Sequence, residues 1–143
     1  MTIKTFRGLI ANQAVDTVTL HTNDGSVGYR VVKFEIMPPE INMTLETVVK
    51  IYKVPQTSGN SDIDFSNQTL LAAAMIKVGS SSTEVLTLHT IFDREIFNQD
   101  IYITNSDEGG GAKPINYYIE LEQIRLDLNE NTVATLKDIR NNA

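Results

Sequence analysis

The chain contains no cysteine and no tryptophan, and only 4 prolines and 2 histidines among its 143 residues. Without cysteine, disulfide staples, thiolate zinc sites and thiol nucleophiles are excluded together, while the redox compartment stays open. Without tryptophan, and with few other aromatics, the stacking platform common in glycan-binding β-domains is weak. No apolar run approaches the roughly 20 residues that a membrane helix requires. Lys4 and Arg7 lie near the start, but no apolar stretch or small-residue cleavage site follows them, so a cleaved secretory signal is not expected. A basic stripe is also missing. The 12 Lys and Arg residues are scattered and outnumbered by 18 Asp and Glu, and the net charge of −6 would repel a phosphate backbone. Direct contact with nucleic acid or membrane is therefore disfavoured, whereas docking onto a basic protein surface suits this charge.

What is present is globular: 41% hydrophobic and 21% charged residues, at a length suited to one domain with its own core. Several segments alternate apolar and polar residues with a period of two, as a strand with one buried face does. Strands are expected at Ile3–Ala11, Val15–Thr22, Val27–Met37, Leu45–Val54, Glu84–Phe92, Asp100–Thr104 and Ile115–Leu128. In the third of these the pattern places Val32, Phe34 and Ile36 on one face and Tyr29, Val31, Lys33 and Glu35 on the other. A slip or bulge is expected late in the last strand. Asn23-Asp24-Gly25-Ser26 is the best hairpin turn, because Asp-Gly tolerates positive φ. Pro38-Pro39 ends one strand, since proline cannot donate to a ladder. Residues Pro55 to Asp62 form a polar loop, and Asn105 to Pro114 a glycine-rich one.

Segment 66–78 is ambiguous, because Ser66 could cap a helix and its alanines favour one; the balance leans to strand, hairpinned to the next. Asn129–Arg140 spaces Val133, Leu136 and Ile139 three apart, with Asn131 or Thr132 as a cap and Lys137 and Arg140 at its carboxyl end, which predicts a short terminal helix or arm. The expected fold is thus all-β: an antiparallel β-sandwich or jelly roll of about eight strands in a single domain over 1–143, with 129–143 as the helix or arm.

The residues offer little chemistry. His21 and His89 occupy the same tetrapeptide, Thr-Leu-His-Thr, and could share a metal if adjacent strands brought them together. A catalytic zinc takes three protein ligands, however, and no third is marked; two strands of similar burial explain the repeat more simply. Asp62 with Asp64, and Asp107 with Glu108, could offer oxygens to calcium, but neither pair has the spacing of a calcium loop, and aspartates in turns ordinarily bond their own backbone. Gly109-Gly110-Gly111-Ala112-Lys113 runs into Pro114 and a strand, whereas a phosphate loop runs into a helix. No nucleophile elbow surrounds any serine. Glu120 and Glu122 share a strand face, as solvated carboxylates also do. Tyr117 and Tyr118 point to opposite faces, one to the core and one to a neighbouring strand. No catalytic, cofactor-binding or metal-ligating residue is assigned, no cofactor is expected, and the partner-binding residues are not identifiable.

Three stretches carry a resemblance: Val31-Val32-Lys33-Phe34-Glu35-Ile36-Met37-Pro38, Ile91 through Thr104, and Asn116-Tyr117-Tyr118-Ile119-Glu120-Leu121-Glu122 continuing to Val133 through Arg140. Asp64-Phe65-Ser66 before Thr69-Leu70-Leu71 adds a shorter one. About half the chain resembles small virion proteins of tailed bacteriophages, particularly those of marine phages. The resemblance implies a structural component of the particle, made in the host cytoplasm and incorporated into the virion. It implies a capsid decoration or cement protein contacting the major capsid protein or other virion proteins, in many copies or as a homo-oligomer. The terminal segments Met1–Thr5 and Ile139–Ala143 would serve as its arms. A receptor- or glycan-binding sandwich of a tail or fibre is the alternative. The family contributes no catalytic residues.

Overall fold

The structure, a computed structural model, describes residues 1–79 and 87–127. Eight strands run through them: β1 (Thr2–Ile10), β2 (Val15–Val18), β3 (Val27–Met37), β4 (Leu45–Tyr52), β5 (Leu70–Val78), β6 (Thr87–Phe92), β7 (Ile101–Asp107) and β8 (Ile115–Arg125). They form two antiparallel sheets, one of three strands in the order β1-β8-β3 and one of five in the order β2-β7-β4-β5-β6. Segment 66–78 resolves as a turn at its start and a strand from Leu70 onward. Its residues Ala72, Ala74 and Ile76 pack into the core, so burial between sheets overrides the helical preference of alanine. The expected terminal helix, Asn129–Arg140, residues 84–86 of the expected strand Glu84–Phe92 and Leu128 of the expected strand Ile115–Leu128 lie outside the described residues.

The pairings β1·β8, β2·β7 and β4·β5 are those of a jelly roll, in which the chain folds as one long ribbon and first meets last, second meets seventh, and fourth meets fifth. The remaining pair of that ribbon, third with sixth, is replaced: β6 stays beside β5 in the five-stranded sheet. Among the described residues an isolated backbone bridge, Tyr29 with Phe97, links the β6–β7 connection to the free edge of β3.

Apolar side chains from both sheets meet between them. Phe34, Ile36, Ile115, Ile119 and Leu121 on one side oppose Leu45, Val49, Ile51, Ala74, Ile101 and Ile103 on the other, all nearly free of solvent. Tyr29 stacks at a tilt on Phe97, with ring centroids 6.3 Å apart.

Three sequence expectations are corrected. Asn23-Asp24-Gly25-Ser26 does turn, with Gly25 at φ 65°, but β2 and β3 belong to different sheets, so it is a crossover and no hairpin. The expected bulge in β8 falls instead on its partner β3, between Val31 and Lys33, while β8 keeps one register with β1 from Thr2↔Gln123 to Ile10↔Ile115. The extra residue switches faces, so Tyr29 and Val31 are buried before the bulge, Phe34 and Ile36 after it, and Val32 is 36% exposed. Finally, β2 ends at Val18, well before Thr22, whereas β7 runs three residues past Thr104 because the side chains of Asn105, Ser106 and Asp107 tie neighbouring loops.

The bulge has a measurable signature. Phe34→Ala should lower unfolding free energy by about 3 to 5 kcal/mol and Val32→Ala by less than about 1 kcal/mol in urea titrations. Comparable losses at the two positions would show that they share the buried face.

Candidate interaction surfaces

β4 is buried on both faces. Leu45, Thr47, Val49 and Ile51 face the core, and Val48, Lys50 and Tyr52 are covered on the opposite side. The cover is the β4–β5 connection, residues 53–69, which folds back over the sheet. Lys50 Nζ donates to Asn60 Oδ1 at 2.7 Å and to the Asp62 carbonyl, and lies 5.4 Å from the centre of the Tyr52 ring. Gly59 rests on β7 so closely that a Cβ there would meet the Asn105 carbonyl oxygen at 2.1 Å, which only glycine avoids. At the start of the connection Lys53, equally buried, pairs with Glu95 at 3.0 Å. These two lysines were not anticipated from the sequence, because a lysine next to apolar neighbours in a strand reads as a solvent-facing position.

The two histidines do not meet. His21 follows β2 at one edge of the five-stranded sheet, and His89 lies on β6 at the other. His21 Nδ1 is 2.7 Å from Asp100 Oδ1, and the same oxygen accepts the backbone N–H groups of Leu20 and His21. Partial burial works to raise the Asp100 pKa, but these hydrogen bonds and the His21 ring outweigh it and hold the carboxyl below its ordinary 3.8.

The paired acids also serve local structure. Asp64 Oδ1 accepts from the Ser66 N–H and hydroxyl. Asp107 Oδ1 accepts from the Glu46 and Gly109 N–H groups and its Oδ2 from that of Lys113, so this carboxylate organises the glycine-rich loop, where Gly110 and Ala112 have positive φ. Among the described residues no three His, Asp or Glu side chains converge as metal ligands would. Glu120 and Glu122 share the outer face of the three-stranded sheet. Glu122 pairs with Arg30 at 2.7 Å, and Glu120 accepts from the Tyr118 hydroxyl. Tyr117 takes the opposite face, where its hydroxyl donates to Asp16 Oδ2 at 3.0 Å. Burial, and then the Asp16 charge, push its pKa well up, so it remains a donor.

Three places on the surface present large apolar side chains. Leu9 and Met37, 57% and 65% exposed, flank Asn116 at one end of the three-stranded sheet. A seam runs between the free edge of β3 and the inward face of β6, lined by Val32, Phe34, Met37, Leu88 and Phe92. On the outer side of the five-stranded sheet, Phe65 and Ile91 border a groove floored by Leu71 and Ala73, with Asp93 and Glu95 at its end. Exposed apolar side chains grouped in this way are a common mark of partner contact.

No protein-family model matches the chain, and no curated protein is detectably similar to it. Its surfaces are therefore the guide to its use.

Two outcomes follow from these contacts. Lys50→Met keeps the volume but leaves the Asn60 and Asp62 oxygens without their donor; it should cost about 2 kcal/mol and speed amide exchange across residues 56–64 more than in β4 itself. The depressed carboxyl of Asp100 contributes stability that is present above its ordinary pKa and lost as pH falls through the lower folded value. The melting temperature should therefore drop below about pH 4, and Asp100→Asn should flatten that part of the profile.

Proposed function

We propose that the chain is a structural virion protein of a tailed phage, a capsid decoration or cement protein that stabilises the shell by contact with the major capsid protein or neighbouring virion proteins. The observation that carries this reading is the separation of its exposed apolar groups. The Leu9–Met37 pair and the β3–β6 seam adjoin at Met37 along the three-stranded sheet and its free edge, and the Phe65–Ile91 groove lies apart on the outer side of the five-stranded sheet. A protein with one small ligand concentrates such groups in one concavity. A protein lodged among several neighbours spreads them. The resemblance to phage virion proteins falls on the elements that frame these places: 31–38 is the edge of the seam, 91–104 includes Ile91 of the groove, and 116–122 runs past Asn116.

The physical mechanism is mass action. A protein that binds only the assembled lattice adds its binding free energy to that of the lattice, and many copies multiply a modest contact. The net charge of −6 favours a basic target surface.

Quantitative mass spectrometry of purified particles tests the reading. Copies numbering in the hundreds, released together with loss of heat or chelator resistance of the shell, are expected. A handful of copies at one vertex would move the chain to a tail or fibre, and its absence from the particle would end the proposal.

A further inference from the structure

Sheet edges offer unpaired N–H and C=O groups, and native proteins blunt them with short strands, bulges, prolines or cover. Two of the sheet edges here are treated so. β2 has four residues and β3 carries the Val31/Lys33 bulge and the Phe97 bridge, while β6 adjoins residues outside the described ones. β1 is different in its backbone. It runs nine residues without proline or bulge, and among the described residues no backbone group pairs with its outer side between Ile3 and Leu9; its only guards are the charges of Lys4 and Arg7, so an added strand must answer those charges.

We infer that β1 is a self-association edge on which a second copy of this chain adds its own β1 antiparallel, fusing two three-stranded sheets into one of six. A two-fold axis perpendicular to the sheet keeps inner residues opposite inner ones, so it must pass through a residue position. Axes at Lys4 or Arg7 would place like charges face to face. Phe6 is the middle of the strand, and an axis there pairs the whole edge. It sets Ile3, 39% exposed, against Leu9 of the second copy, and Thr5 against Arg7.

The inner face supplies the electrostatic match. Lys4 falls opposite Gly8, and the space a Gly8 side chain would fill is taken by the Tyr117 hydroxyl, 2.9 Å from where its Cβ would be. That hydroxyl is bonded to the half-buried Asp16 carboxylate. Neither Lys4 nor Asp16 has an ion-pair partner among the described residues. Directly opposite positions lie about 5 Å apart, which brings each Lys4 over the other copy's Gly8; from there its side chain extends inward past the Tyr117 hydroxyl toward the Asp16 carboxylate that this hydroxyl bonds at 3.0 Å, twice across the axis.

Because the chain has no cysteine, the register can be read directly. Ile3→Cys and Leu9→Cys are made separately and oxidised mildly, alone and mixed. The mixture should give a disulfide heterodimer several-fold faster than either alone, since Ile3 faces Leu9 and each lies about 20 Å from its own equivalent. Lys4→Glu should weaken the dimer about tenfold in sedimentation velocity, with an unchanged circular dichroism spectrum confirming that this exposed position leaves the fold intact. A wild-type chain that sediments as a monomer at high concentration, cross-linking of either cysteine variant alone as fast as the mixture, or a Lys4→Glu dimer of undiminished strength would each overturn the inference. None of these readouts needs a virus particle, so failure here and failure of the decoration role are separable.

Discussion

Two sheets of unequal width share one apolar interior, and this mismatch shapes the surface. Three strands cannot cover five. Where β1, β8 and β3 lie over the partner sheet, side chains such as Ile119, Val49 and Ile103 are sealed. Beyond β3 the larger sheet overhangs, so Leu88 on β6 is 51% exposed although it points to the same side as the buried Ile76. The position that a sixth strand would hold in a complete jelly roll is an open seam. On the other face of the larger sheet the need is opposite: with no second sheet to cover β4, the chain uses residues 53–69 instead. A polar connection can lie over a sheet only if its own backbone groups find partners, and Lys50 supplies that bond to Asp62.

The class of fold was legible in the residues because period-two alternation is a local property, and so was the existence of most of the strands. Sheet membership was not legible. Asp24-Gly25 has the chemistry for a tight turn and makes one, yet whether the strands on either side pair depends on partners about a hundred residues away. The bulge at Val32 was hidden for a related reason. Val31, Val32 and Phe34 are all apolar, so either phase of the alternation is allowed, and only the register with β8 selects one. The polar run Asn105-Ser106-Asp107 read as loop because its burial is compensated by contacts from loops distant in sequence. For the candidate surfaces, the sequence supplied the exposed apolar residues but gave no means of grouping them, since Phe65 and Ile91 become neighbours only through the β5–β6 pairing.

The two buried lysines illustrate how such a domain can hold charge inside. Lys53 is matched by a carboxylate, which offsets the cost of removing both charges from water only when the geometry is good. Lys50 is matched by an amide and a carbonyl oxygen with an aromatic ring alongside, dipoles in place of a counter-charge. The start of the 53–69 cover is thereby fixed by an ion pair to Glu95, and its middle by the ammonium of the strand beneath.

The central position of β8 has a consequence for how the molecule comes into being. In their sheet β1 and β3 are joined through β8, which among the described residues is the strand made latest. Until residue 125 has been made, both wait without a hydrogen-bonding partner, while β4 and β5 can already associate. Such long-range closure is slow, and the intermediate presents unpaired strands to solvent. A nascent chain of this topology stays half assembled while its first seven strands are made, and its time of greatest vulnerability to aggregation ends only once β8 can join them.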